Sequence, residues 1–421
     1  MLPAVVLMVA ATLTVTAAEA SATSAGRYGV ATSVNGFNSA KAATVRRPAA
    51  PTCPRAIADG RGFYLVWCAP AADYYRITQS TDYAAKQNRK EYTIAGYAHQ
   101  FAPWDVTPGT TYYYRVRALN TGAYISPYSD ATSGTPRSTA QNLRVMTYNL
   151  MSANIRTSPS GGYLPEWANA RRDAAAQQVG AVNPDVIAVQ EAGARIGPYV
   201  STIPYYGTRQ VDSLRSALGT NYTTADSNDN RSGAKIDNYI IYRSTTYAPG
   251  AGGRWYVGDG MYAAYQVLQN RTTKATFLMV SAHFTNAKAA QAKSMINQAT
   301  AFALTKNPGN GGIPIVYGGD FNAFSATFTS DDSPGRAIWA SYGADARFSS
   351  QSRVNTVYNT YNGYLRTAPQ GQVAIDRVFG SRGVALRTWG QQLTTRNGVF
   401  QATIPSDHNG VYSDITIRNE P

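Results

Sequence analysis

The side chains best equipped for chemistry in this sequence stand at the ends of apolar runs. Val145-Met146-Thr147-Tyr148 ends at Asn149, Val186-Ile187-Ala188-Val189-Gln190 at Glu191, and Phe277-Leu278-Met279-Val280-Ser281-Ala282 at His283. Ile315-Val316-Tyr317-Gly318-Gly319 ends at Asp320-Phe321-Asn322, and Val373-Ala374-Ile375 at Asp376. Ser406-Asp407-His408 precedes the run Gly410-Val411-Tyr412. One such match means little, because Asp and Asn often end strands by capping and turning the chain. Six together mean more, since ligand sites of α/β sheets gather at the carboxyl ends of strands. Two of the three histidines of the chain belong to the set. The donors are carboxylates, amides and dispersed imidazoles, with no cysteine near them in sequence. Hard oxygen donors of this kind suit Mg²⁺, Mn²⁺ or Ca²⁺ better than Zn²⁺. A cation beside hydrogen-bond donors lowers the barrier to attack on a phosphodiester by neutralising the charge that develops. A histidine held by a carboxylate gains basicity and a fixed tautomer. Asp320 and Asn322, two residues apart, are expected on one strand face.

The elements that must position these residues are legible in outline. Residues 140–421 alternate strand runs with Ala/Gln-rich stretches, of which 167–179 and 287–304 read as helices. Pro165 before the first and Asn307-Pro308-Gly309 after the second suit helix ends. The pattern is α/β, in one large domain over 140–421. Residues 51–137 show period-2 strands, among them Phe63–Cys68, Tyr74–Thr78 and Tyr112–Ala118, and predict a small all-β sandwich ahead of it. Both cysteines, Cys53 and Cys68, fall on the first two of those strands. In an exported protein a disulfide is expected, worth about 3 kcal/mol in the loop-entropy model; two buried thiols are the alternative. Export itself is expected from residues 1–22: the first 18 carry no charge, and a small-residue stretch follows. The basic n-region usual in such segments is absent. Residues 23–50, rich in Ala, Ser, Thr, Gly and Asn, read as a linker or processed segment. No stretch after the leader reads as a bilayer span.

Composition narrows the class of partner. The chain has 421 residues, 44% apolar and 11% aromatic, which excludes a disordered protein. Two cysteines exclude a disulfide-stapled miniprotein and a Cys-rich zinc site. A net charge of +14 with only 15% charged residues favours an anionic partner: nucleic acid, phosphate ester or membrane surface. Residues 140–421 carry 25 basic and 17 acidic side chains, and residues 1–139 carry 13 and 7.

The motifs Thr147-Tyr148-Asn149, Val189-Gln190-Glu191, Ala282-His283, Gly319-Asp320-Phe321-Asn322, Ile375-Asp376-Arg377 and Ser406-Asp407-His408 bring in a family. In order and spacing, residues 140–421 resemble the endonuclease/exonuclease/phosphatase superfamily. That superfamily includes pancreatic-type deoxyribonucleases, the exonuclease III group, inositol polyphosphate phosphatases and bacterial sphingomyelinases. The resemblance implies a four-layer α/β/β/α sandwich with the site where two sheets open. It implies Glu191 as main metal ligand with Asn149 and Asp407 beside it, and Mg²⁺ or Mn²⁺, with Ca²⁺ as a further choice. His408 falls on the base side with Asp376 orienting it. Asp320 and Asn322 position water and phosphate oxygens, and His283 contacts the scissile phosphate or protonates the leaving oxygen. Which imidazole is acid and which is base stays open. Asp237 falls near an acid that pairs with the matching histidine in pancreatic-type nucleases; capping a strand start is its other role. Arg195 and Arg377 are candidates for contacting substrate phosphates, whereas Arg171-Arg172 read as a solvated helix face. Residues 51–137 resemble a fibronectin type III module through Trp67 before Ala69-Pro70, Gly109-Thr110-Thr111-Tyr112, and Ser126-Pro127-Tyr128-Ser129; its ligand is unknown.

Two enzyme readings follow. The first is a secreted, divalent-metal-dependent phosphodiesterase that hydrolyses DNA or RNA, since Gly319-Asp320-Phe321-Asn322-Ala323 and Ile375-Asp376-Arg377 are nearer the nuclease pattern. The alternative is a sphingomyelinase-like phospholipid phosphodiesterase, with residues 253–257 and 261–265 as the segments to enter a bilayer. A purely adhesive protein would require the six-part set to be accidental.

Overall fold

A computed structural model describes residues 47–421, apart from 97, 122–123, 156, 159–160, 197–206, 226–236, 286–288, 324–336, 339–340, 342 and 372. The apolar leader and most of the linker segment lie outside the described residues.

Alternating side chains build the first part of the chain. In β6 (Tyr112–Asn120) Tyr112, Tyr114, Val116 and Ala118 are buried and their neighbours are not. β1 (Thr52–Asp59), β2 (Gly62–Cys68) and β5 (Gln100–Phe101) form a three-stranded sheet. β3 (Tyr74–Ser80), β4 (Lys90–Ala95), β6, β7 (Tyr124–Ile125) and β8 (Thr132–Gly134) form a five-stranded one. Between them lies a core of Phe63, Leu65, Trp67, Tyr75, Ile77, Tyr92 and Val116. Cys53 and Cys68 are joined in a disulfide with Cα atoms 5.5 Å apart.

The rest of the chain is mostly sheet. One sheet has eight strands, seven of them in the order β13 (Tyr222–Thr224), β14 (Tyr239–Arg243), β10 (Val186–Gln190), β9 (Gln141–Asn149), β26 (Gly410–Ile417), β23 (Thr388–Gln392), β20 (Ser352–Val354), with β22 (Ala385–Leu386) also on β26. The other has six, in the order β15 (Tyr247–Gly258), β16 (Met261–Asn270), β17 (Thr276–His283), β18 (Ile315–Asp320), β21 (Asp376–Gly380), β19 (Ala344–Asp345). Two short ribbons pair β11 (Arg195–Ile196) with β12 (Thr208–Arg209) and β24 (Thr395–Arg396) with β25 (Val399–Phe400). The central strands β10 and β18 are buried throughout, as strands covered on both faces must be.

Three apolar clusters fix the layers. Val145, Val186, Ile240 and Ile415 of the larger sheet meet Leu268, Phe277, Met279, Val316 and Val378 of the smaller one. On the far side of the larger sheet, Met146, Tyr148, Ile187 and Val189 pack against α1 (Arg172–Val182) and α2 (Gln210–Leu218). On the far side of the smaller sheet, Leu278, Val280 and Tyr317 pack against Ala292, Met295, Ile296 and Ala299 of α3 (Ala289–Lys306). Gly318 lets the sheets approach closely: a Cβ there would lie 2.9 Å from Ala188 Cβ and 3.3 Å from Thr147 Cβ on the facing sheet. The two helices expected from sequence are present, the first as a π-helical turn Trp167–Arg171 running into α1. Among the described residues no helix is long and apolar enough to cross a membrane.

Residues 42–421 cluster as one unit, and the β-rich segment packs directly on the α/β part. Glu420 accepts bonds from the backbone N–H groups of Arg137 (2.6 Å) and Ser138 (3.1 Å). Arg418 donates to the carbonyls of Val106 (2.7 Å) and Ser138 (2.8 Å). Asn419 joins Gly60 to Thr276, and the Gly60 N–H donates to the Asn310 carbonyl at 2.7 Å. These contacts lie at the starts of β9 and β17, the approach to β18, and the end of β26.

Candidate active site

Register brings the chemistry together at the opposite ends of the same strands. Asn149 and the residue before Glu191 are partners on the parallel pair β9 and β10. His283 and Asp320 are partners on the parallel pair β17 and β18, and Asp376 opens β21 opposite Asp320. His408 lies just before β26, whose Val411 pairs with Thr147. Each sheet therefore supplies half of the constellation, and packing the sheets face to face joins the halves.

The joining contacts are specific. Asn149 Nδ2 donates to Glu191 Oε1 and, across the sheets, to Asp320 Oδ2, both at 3.1 Å. His408 Nδ1 lies 2.9 and 3.1 Å from the two oxygens of Asp376, also across the sheets. Asp320 is the centre: its Oδ2 is 3.6 Å from His283 Nε2 and 3.7 Å from His408 Nε2. Beneath it a polar relay, Thr147 to Gln190 to Ser281, ties the sheets together with bonds of 3.2 and 3.1 Å.

Local turns aim the rest. Glu191 has φ 56°, a left-handed conformation that costs a non-glycine residue about 1 kcal/mol or more. That turn lets its Oε2 accept from the Ser152 N–H at 3.2 Å. Asn322 also has a positive φ, 48°, so the strand-face argument for Asp320 and Asn322 fails: β18 ends at Asp320. A side-chain turn joins them instead, with Asn322 N–H on Asp320 Oδ1 at 2.9 Å. Asn322 Nδ2 then reaches His283 Nε2 (3.2 Å) and the Phe284 carbonyl (2.6 Å). Ser406 Oγ donates to the Asn149 carbonyl at 2.7 Å and accepts from the His408 N–H, fixing the loop that carries Asp407 and His408.

Electrostatics favour a charged His408. Burial works to neutralise the imidazole, but the carboxylates of Asp376, Asp320 and Asp407 overcome it and push its pKa up to about 10. Burial pushes Asp376 up to about 6 against the pull of His408, so the shared proton resides on the imidazole at neutral pH. Burial also pushes Asp407 up, and the charge of Glu191 adds to this. Three carboxylates thus converge on His408, and one of them, Asp320, also faces His283. Asp320, Asp376 and His408 bring ligand-capable atoms within 4.8 Å of one another, but with His408 charged and bonded to Asp376 this cluster handles a proton rather than seating a cation. Asn149 presents its amide nitrogen to the carboxylates, while its Oδ1 accepts from the Met151 N–H at 2.9 Å. That orientation follows the hydrogen-bond pattern.

Two arginines, Arg377 and Arg171, stand differently from the sequence-based expectation. Arg377 is buried and bonds Asp345 Oδ2 at 2.7 Å and the Ala374 carbonyl at 2.9 Å, so it does not serve a phosphate. It follows Asp376 in β21, and successive strand residues face opposite ways. Arg195 is exposed, and its Nη1 donates to the Gly207 carbonyl at 3.1 Å. Arg171 is fully buried rather than solvated. It donates to the carbonyls of Leu150 (2.9 Å), Met151 (2.7 Å) and Pro405 (2.9 Å), tying the loop after Asn149 to the loop before Asp407. The signal was available: Trp167, Arg171, Ala175 and Val179 repeat at i, i+4 on one helix stripe. Beside Pro405 opens a groove of about 520 Å³ lined by Pro165, Tyr364, Arg366, Thr403 and Ile404.

The architecture is that of a family of phosphate-ester hydrolases. The model of the endonuclease/exonuclease/phosphatase family matches residues 146–408, and the chain belongs to that family. The chain is similar to a family member of known structure from Bacteroides thetaiotaomicron, with TM-score 0.51 and 18% identity, covering 66% of this chain and 96% of that one. It is also similar to a mannosyl-6-phosphatase from the same organism, with TM-score 0.48, 20% identity and coverage of 65% and 99%. Among curated proteins it matches the CCR4-Not complex 3'-5'-exoribonuclease subunit Ccr4 of Schizosaccharomyces pombe, 34% identical over 77 residues. That match covers 17% of this chain and spans 11% of the relative's length.

Proposed function

We propose that the protein is a secreted, divalent-metal-dependent nuclease hydrolysing phosphodiester bonds of DNA or RNA. The observation that carries the hydrolase reading is the cross-sheet set of Asn149, Glu191, His283, Asp320, Asn322, Asp376, Asp407 and His408. We read its layers as the family's four-layer α/β/β/α sandwich, and residues 51–137 as a fibronectin type III-like domain ahead of a catalytic domain over 140–421. Secretion is supported by the apolar leader of the sequence and by the disulfide.

Glu191 and Asp407, with Asn149 once its amide oxygen faces them, would hold Mg²⁺ or Mn²⁺. The fit rests on the donor chemistry: oxygen ligands crowded enough that the charge of Glu191, added to burial, raises the proton affinity of half-buried Asp407. When bound, such a cation neutralises charge on the phosphate and lowers the pKa of water. The remaining work falls to side chains. His408, held through Nδ1 by Asp376, presents Nε2 beside Asp320, where a proton can be taken or given. Asn322 fixes the ring of His283, which faces the same carboxylate and serves the phosphate or the leaving oxygen.

Nucleic acid is favoured over lipid by one packing observation and one relative. Two rings of the aromatic hairpin that could enter a bilayer, Trp255 and Tyr265, are engaged in the fold, and Tyr256 alone of its aromatic residues is exposed. Trp255 stacks on Tyr265 at 3.9 Å, and Phe302 of α3 packs edge-on to both rings. The exoribonuclease name of the curated relative points the same way. A panel of supercoiled plasmid, structured RNA and sphingomyelin vesicles, each with Mg²⁺, tests the reading. Nicked plasmid or degraded RNA is expected. Hydrolysis of sphingomyelin with both nucleic acids intact would replace it with the lipid reading.

A further inference from the structure

The outer face of the five-stranded sheet carries charge that its own neighbours leave poorly balanced. Antiparallel β3 and β6 set Arg76 directly opposite Arg117, and Thr78 opposite Arg115. Like charges directly opposed across strands destabilise a sheet. Glu91 on β4 is the carboxylate they share, 3.8 Å from Arg76 and 3.9 Å from Arg117. A third guanidinium, that of Arg89, holds the same carboxylate more closely, at 2.5 Å. Arg115 turns instead to the Tyr83 carbonyl, at 3.1 Å. Aromatic rings accompany the charges: Arg115 lies 5.3 Å from the Tyr83 ring and Arg117 4.6 Å from that of Tyr128. Tyr83 is 65% exposed.

We propose that this face is a second nucleic-acid-binding surface, which takes a single polynucleotide strand by its phosphates and stacks an unpaired base on Tyr83. Planar guanidinium forks match phosphate oxygens, and an anionic strand would relieve the repulsion between Arg76 and Arg117. Basic side chains interleaved with accessible aromatic rings are the usual means of holding a single strand without reading its sequence. The location sets the role. The β-rich segment is clamped at the starts of β9 and β17, whereas the catalytic side chains stand at their ends. The nine residues of β9, eight steps of about 3.3 Å, separate the seam from the catalytic end by roughly 26 Å. The surface therefore retains a polymer and takes no part in bond cleavage.

This inference rests on nucleic acid being the substrate, and the test keeps the two claims apart. Binding of a labelled oligothymidine of about 20 nucleotides to the full chain is followed by anisotropy, in chelator, across a salt series. Replacing both opposed arginines (Arg76→Gln with Arg117→Gln) should weaken binding at least about tenfold. It should also reduce the slope of log affinity against log salt by about 1.4, for two lost phosphate contacts on a single strand. Tyr83→Ala should weaken binding with the slope kept. All variants should unfold as cooperatively as the wild type and hydrolyse a small chromogenic phosphodiester at the wild-type rate. Unchanged affinity and slope would overturn the proposal. So would arginine-dependent binding to heparin or anionic vesicles with none to oligothymidine. Arginine-dependent strand binding by a protein that cleaves no nucleic acid would sink the nuclease reading and leave this surface standing.

Discussion

His408 shows how one residue's environment sets its chemistry. Burial alone would leave the imidazole neutral, yet Asp376, Asp320 and Asp407 push its pKa up to about 10. An unfolded histidine titrates near about 6.5. The folded value is the higher one, so the stabilisation from charging His408 is complete below about pH 6.5 and is lost as pH climbs towards 10. In metal-free protein, the His408 ring resonance should titrate well above pH 7.5 by NMR, and Asp376→Asn should move it down. A titration at or below the ordinary histidine range would contradict the carboxylate cage. The identities of these residues were legible because strand-end acids and imidazoles recur in one chain. The pairing of His408 with Asp376 was legible only through family resemblance and that of Asn149 with Asp320 was not legible at all, since both bonds cross between sheets. Arg377 was misread although strand alternation already set it on the face opposite Asp376.

At the scale of elements, loops rather than strands decide the precision of the site, and Arg171 governs two of them. It rises from a π-helical turn in which its own N–H reaches back to Glu166 at 3.5 Å. Its Nη1 is buried without a hydrogen-bond partner, so the side chain is committed to the three carbonyls it does reach. Arg171→Lys keeps the charge but cannot hold carbonyls from both loops at once. It should cost about 3 kcal/mol in stability, as removing a buried charged donor does. It should also raise the Mg²⁺ concentration needed for half-maximal rate, a change that general destabilisation would not produce below the melting range. A Lys variant with the wild-type Mg²⁺ response would confine Arg171 to stability. The strand runs singled out in the sequence and the helices beginning near 167 and 287 were legible from periodicity to within a few residues, whereas α2 (Gln210–Leu218) was not. The turn linking Asp320 to Asn322 was not, because a left-handed asparagine leaves no periodic trace.

On the scale of the whole molecule, the β-rich segment is built into the catalytic body. Gly383 marks how tightly: a Cβ there would lie 2.1 Å from the Arg61 carbonyl. Sequence could divide the chain by composition, but the seam depends on Arg418, Asn419 and Glu420 reaching residues some hundreds of positions away. Only folding brings these together. The two poles thereby acquire separate tasks, polymer retention at one and bond cleavage at the other.

The measurement closest to the central claim is the rate of phosphodiester hydrolysis as Mg²⁺ is titrated into metal-free protein, for the wild type and for Glu191→Gln and His408→Ala. Wild-type protein should be inactive in chelator and recover with Mg²⁺ or Mn²⁺. Glu191→Gln, nearly isosteric but without the ligand charge, should need far more metal. Folded His408→Ala should lose at least about 10²-fold at saturating metal, the lower end for a general acid or base. Wild-type activity that persists in chelator, or either variant within about threefold of wild type, would contradict the assignment of this constellation as a metal-dependent active site.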